Sequence, residues 1–154
     1  MTTTTQSLQT SEMIELQALV LEECAVKRGD ATNADAGNVD SDFNIHPSYS
    51  EGDLRFLVQS SHDFHNADGE LIVTIDVSFS AWYRVRGQAD LSESFLQGYV
   101  NNSLMRQVIP FVREFLANMT NRLGIETFYL PLFVRTGAIE AGDSIENGPT
   151  DKPE

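Results

Sequence analysis

The run "ELIVTIDVSFSAWYRV" alternates without a break: Leu71, Val73, Ile75, Val77, Phe79, Ala81, Tyr83 and Val85 form one apolar row. Thr74, Asp76, Ser78, Ser80 and Arg84 stand between them. A period of two predicts a strand with one buried and one wet face, as in an antiparallel sheet covered on one side. "EMIELQALVLEECAVK", residues 12–27, predicts a second strand with Ile14, Leu16, Ala18, Val20, Cys24 and Val26 on one face and Glu22 breaking the series. "LRFLVQSSHDFH" puts Leu54, Phe56, Val58 and Phe64 together. "FNIHPSY" puts Phe43, Ile45 and Tyr49 together, with Pro47 marking an edge strand. Between the first two, residues 28–42 offer almost nothing to bury and predict an acidic loop or crossover. "NADG", Asn66–Gly69, predicts the turn before the clearest strand.

Helix follows the strands. Asp90 or Ser92 is a suitable cap for "DLSESFL". On a helical wheel, Leu104, Val108, Ile109, Phe111, Val112, Phe115, Leu116, Met119 and Leu123 span about 160°, where covering a sheet needs about 100°. The surplus predicts that the helix buries two surfaces, its own sheet and a second subunit. Val108, Phe111, Val112, Phe115 and Met119 are the candidate oligomer interface. Gly124 is a natural helix stop, and Pro131 prevents "IETFYLPLF" from continuing the helix. That segment crowds Phe128, Tyr129, Leu130, Leu132 and Phe133 together. It is either a core-completing strand or loop, or a binding surface, because exposed apolar patches mark interaction sites. Residues 1–11 predict a disordered leader, 12–135 one domain, and 136–154 a disordered acidic tail.

Charge narrows the partners. Ten basic residues face 23 acidic ones, a net charge of −13. That argues against phosphate-driven nucleic-acid binding and against attraction to an anionic membrane. No segment is apolar and long enough to span a bilayer. A single cysteine, Cys24, suits a reducing cytoplasm. His62 and His65 in "HDFH" would point to opposite faces of a strand, which does not make a metal site. No nucleophile motif, phosphate loop or cofactor signature is present.

"VIPFVREF", Val108–Phe115, resembles the helix of the SecB export-chaperone family, with Ile109, Pro110, Phe111, Val112, Arg113 and Glu114 at the characteristic positions. "NRLGIETFYLPLF" resembles the family's Arg, Gly and apolar loop. "FLQGYV" resembles the stretch before that helix in relatives attached to toxin–antitoxin systems. The loop here lacks the paired prolines, and no second long helix follows, which weakens docking to a SecA-type motor. The resemblance implies an α+β fold, a four-stranded antiparallel sheet with helices packed on one face. It also implies a homotetramer with no cofactor and no catalysis, which holds unfolded polypeptide for export or protects a dedicated client such as an antitoxin. Phe128, Tyr129, Leu130, Leu132 and Phe133 would then bind client, with the crossover loop as the other wall. Two rivals stand beside this reading: an acyl-thioester enzyme of hot-dog type, and an assembly protein whose apolar surface is consumed by oligomerisation.

Overall fold

The structure, a computed structural model, describes residues 14–87 and 91–131. The predicted leader and tail, Asp90, Leu132 and Phe133 lie outside the described residues. Four long strands, β1 (Ile14–Arg28), β2 (Ala36–Ser50), β3 (Asp53–Asn66) and β4 (Leu71–Val85), form one antiparallel sheet in the order β1-β4-β3-β2. Helix α1 (Glu93–Tyr99), a π-helical turn (Val100–Leu104) and helix α2 (Met105–Arg122) follow. The α+β architecture read from the chain is the one observed.

The row on β4 faces the helices, and Val73, Ile75, Ala81 and Tyr83 are completely buried. Leu54, Phe56 and Val58 of β3 join it, as do Val108, Ile109, Val112 and Leu116 of α2. Tyr83, Phe56 and Tyr99 form an aromatic knot at the α1 end, with ring centroids 5.5–6.0 Å apart. The Tyr83 hydroxyl donates to Gln107. Burial and the neighbouring Tyr99 push the Tyr83 phenol far above its ordinary range.

β1 departs from the expected parity. Its register against β4 shifts between Leu16 and Ala18 and again between Leu21 and Glu23. Each β-bulge inserts one residue and turns the following side chains over. Leu19 and Leu21, rather than Ala18 and Val20, therefore sit opposite Ala81 and Phe79 on the helix side. Cys24 and Val26 return to that side after the second shift. Leu21 and Val26 remain 46% and 37% exposed because the helices do not reach this margin.

β2 is also longer than its side chains suggest. Residues 36–42 pair with β3 although Val39 alone among them is even half-buried. This half is held by backbone pairing, which hydrophobic periodicity does not report. The second face of the sheet is not uniformly wet: Ser80 and Trp82 are buried there. Arg55 covers them, its guanidinium 5.4 Å from the indole centre and its Nε donating to Ser80 Oγ at 2.9 Å.

β1 and β2 lie at opposite edges, so residues 29–35 must cross the end of the sheet over the β3–β4 turn. The crossing is flush. The Gly29 and Ala31 amides donate to the Ile72 and Leu71 carbonyls, and Ala67 N–H donates to Asp35. A Cβ at Gly29 would lie 2.1 Å from the Leu71 carbonyl oxygen, so only glycine fits there.

Helix limits follow local chemistry. Ser92 Oγ accepts the Phe95 N–H as the α1 cap. α2 ends in a Schellman motif: Gly124 adopts φ 73°, its N–H bonds the Asn121 carbonyl, and Ile125 N–H bonds Thr120.

Candidate functional site

Past Gly124 the chain runs from Glu126 to Pro131 without regular secondary structure and turns back across the open end of the sheet. Alternate residues then meet opposite environments. Leu130 is 1% exposed and belongs to the core, Tyr129 is 61% exposed, and Phe128 is half-buried. Phe128 stands edge-on to Phe64, with centroids 5.3 Å apart.

Between this segment and the crossover lies a cavity of about 300 Å³. Phe64, Ile72 and Phe128 make its apolar floor. Ala34, Ala36, Gly37 and Val39 form one wall, and Ile125, Thr127 and Tyr129 the other. Small residues line the crossover wall, so the cavity is open to a bulky apolar group. His65 and Glu126 also line it. The His65 Nδ1 atom is 3.7 Å from the Asp40 carboxylate and has no hydrogen bond among the described residues.

Tyr129 is the ridge between this cavity and a shallower depression of about 460 Å³ on the outer side of α2, lined by Pro110, Arg113, Ala117 and Asn118. The Arg113 guanidinium lies 5.4 Å from the Tyr129 ring centre. An exposed aromatic between two hollows, backed by a cation, suits an apolar or aromatic side chain from another molecule.

Of the five residues expected to bind a partner polypeptide, the structure brings Phe128 and Tyr129 to the groove. Leu130 is corrected: it points inward and completes the core. Leu132 and Phe133 lie outside the described residues. Phe64 and Ile72 went unrecognised as groove residues, because the pattern assigned them simply to strands; only the path of the crossover shows that the helices leave this end of the sheet open.

The five helix residues expected at a subunit interface separate in the same way. Val108 and Val112 are completely buried against the chain's own sheet and have no surface left for a second copy. Phe115 and Met119 are half-buried, Phe115 edge-on to Phe79 at 6.2 Å. Phe111 is 49% exposed. Leu21 sits opposite Phe79 on β1, so Leu21, Phe115 and Phe111 follow one apolar margin where sheet and helix part.

His62 is buried in the core, its ring nitrogens bonded to Ser41 Oγ at 2.7 Å and Ser60 Oγ at 3.0 Å. Burial lowers its pKa to about 4, against the opposing pull of Asp76 and Asp63. Among the described residues, no three His, Cys, Asp or Glu side chains are grouped to hold a metal ion.

No family model matches the chain, and no curated protein matches it in sequence. Its fold does match solved structures. One is the SecB-like chaperone Rv1957 of Mycobacterium tuberculosis, determined in complex with a ChAD peptide from the Rv1956 HigA1 antitoxin. The TM-score is 0.69 at 16% identity, over 82% of this chain and 92% of that one. The two share a fold.

Proposed function

We propose that this chain is a molecular chaperone that holds non-native polypeptide without nucleotide or cofactor. One observation carries the reading: an apolar groove with an aromatic ridge at Tyr129 stands open on a fold shared with a chaperone solved with a peptide bound. Apolar burial at roughly 25 cal/mol per Å² gives such a groove affinity for unfolded segments without sequence-specific contacts. A net charge of −13 keeps a protein with exposed apolar surface apart from its own copies. The client is a polypeptide of the antitoxin kind or one awaiting export. The functional unit is a homo-oligomer, a tetramer, closed along the margin of Leu21, Phe111 and Phe115.

The hot-dog reading lacks support, because that architecture wraps a sheet around an early helix, whereas α2 follows β4 and lies on one face. The assembly-protein reading draws on the same exposed Leu21 and Phe111, but leaves the groove without a use. The test is aggregation suppression. Chemically denatured citrate synthase is diluted into buffer without ATP, with and without the protein. Light scattering should fall as the protein approaches stoichiometric amounts. Undiminished scattering at several-fold excess would rule the chaperone reading out.

A further inference from the structure

The two walls of the groove come from distant parts of the chain, and each is fixed by one buried polar side chain that does not line the groove itself. On the crossover side this is Asn66, 1% exposed. Its Oδ1 accepts the N–H groups of Asp68 at 3.0 Å and Glu70 at 2.9 Å, closing the β3–β4 turn. Its Nδ2 donates to the Asn33 carbonyl at 3.2 Å and to Glu70 Oε1 at 3.0 Å. The Thr32 hydroxyl donates to the same Glu70 oxygen at 2.9 Å. One amide group therefore ties the turn and the crossover together. Gly37 continues the close approach: a Cβ there would lie 2.2 Å from the Asn66 carbonyl oxygen.

On the other side the residue is Thr120, completely buried on α2. Its hydroxyl donates to the Leu116 carbonyl at 2.8 Å and accepts the Phe128 N–H at 3.0 Å. Val108, Val112 and Leu116 precede it on the buried stripe, where an aliphatic side chain would pack as well. The hydroxyl adds a fixed attachment for the segment that carries Phe128 and Tyr129.

We propose that Asn66 and Thr120 are the positioning residues of the groove, setting the spacing of its two walls before a polypeptide arrives. This rests on the chaperone reading above. The physical gain is preorganisation: walls already ordered do not have to lose conformational freedom when the client binds. Each residue acts through others, Asn66 through Ala34–Gly37 and Thr120 through Phe128 and Tyr129.

The test measures affinity for a permanently unfolded probe, fluorescently labelled carboxymethylated α-lactalbumin, by anisotropy. Each variant is measured at a temperature where circular dichroism shows it folded. Thr120→Val keeps the shape and removes the hydroxyl, and Thr120→Ser restores it. Asn66→Asp keeps the turn's acceptor, removes both donors and sets a carboxylate against Glu70 and the Asn33 carbonyl; adding Glu70→Gln restores the contact between the two side chains but not the bond to Asn33. Val58→Ala, in the core away from the groove, serves as the control for lost stability. Thr120→Val and Asn66→Asp should each weaken the probe about tenfold, the scale of one lost buried hydrogen bond. Thr120→Ser should recover most of its loss, the Asn66→Asp/Glu70→Gln pair only part, because the bond to Asn33 stays broken, and Val58→Ala should stay near wild type.

If Asn66→Asp does not fold, Thr32→Val removes the exposed crossover bond to Glu70 and should weaken the probe in the same direction, by less than tenfold because water can replace that bond. Wild-type affinity in Thr120→Val, or an equal loss in Val58→Ala, overturns the proposal while leaving the chaperone reading intact. No binding by the wild-type protein removes the chaperone reading, and the positioning role with it.

Discussion

Replacing Tyr129 with serine separates a binding residue from a folding residue. The ring is 61% exposed, and its described partner is the Arg113 guanidinium at 5.4 Å. A cation–π contact at an exposed site contributes about 0.5–1 kcal/mol. Tyr129→Ser should therefore cost at most about 1 kcal/mol of stability, a melting shift of about 2–4 °C for a chain of this size. The same ring is a ridge between two hollows, where an aromatic anchor typically contributes about 2 kcal/mol or more to an interface. Affinity for an unfolded polypeptide should fall about 30-fold. Phe128→Ser makes the contrast: it removes the edge contact with Phe64, so stability and binding should fall together. The assays are a thermal melt and an anisotropy titration on the same samples. A Tyr129→Ser melt lowered by roughly 10 °C or more would return the ring to the core. An unchanged dissociation constant would move the binding site elsewhere.

Leu130→Ala should destabilise the protein by about 2–5 kcal/mol, read by urea unfolding, because the side chain is 1% exposed and leaves a cavity; a loss below about 1 kcal/mol would contradict its core assignment. Phe111→Asp should reduce the native mass toward the 17.1 kDa protomer while circular dichroism is unchanged, whereas Val112→Asp should unfold the chain; an unchanged mass for Phe111→Asp would exclude this margin as the interface. His62 has a folded pKa of about 4 against an ordinary 6.5, so its neutral form is the one that fits. Its contribution is full above about pH 6.5 and is lost as pH falls toward 4, on the order of 3 kcal/mol. Subtracting the stability–pH profile of His62→Gln from that of the wild type should isolate this slope between pH 6.5 and 4, and parallel profiles would contradict it.

Side-chain alternation made the helix-facing row of β4 legible but not the burial of Ser80 and Trp82 on its other face, and Ser92 and Gly124 marked helix ends because each has a local job the sequence displays. β1 was legible as a strand but not in its facing, since two bulges turned Leu19 and Leu21 toward the helices. The break at Glu22 was the trace of the second bulge. Residues 36–42 look like loop or crossover in the sequence because their pairing to β3 uses backbone groups, which have no hydropathy. The candidate site was half visible. Apolar crowding pointed to the segment after Gly124, yet crowding alone does not say that Leu130 points in while Tyr129 points out. The opposite wall depends on a seven-residue connection crossing the sheet end, a consequence of strand order rather than of any local pattern. Likewise, the wide arc on α2 was real, but the sheet uses Val108 and Val112 and leaves Phe111 at its margin.

Photocrosslinking tests the central claim most directly. A benzoylphenylalanine at position 129 and, separately, at position 78 on the second face of the sheet is irradiated with labelled carboxymethylated α-lactalbumin. The account predicts a strong crosslink from 129, competed by unlabelled unfolded protein, and little from 78. Equal crosslinking from both positions, or none from 129 while the protein binds the probe, would contradict a client groove beside Tyr129.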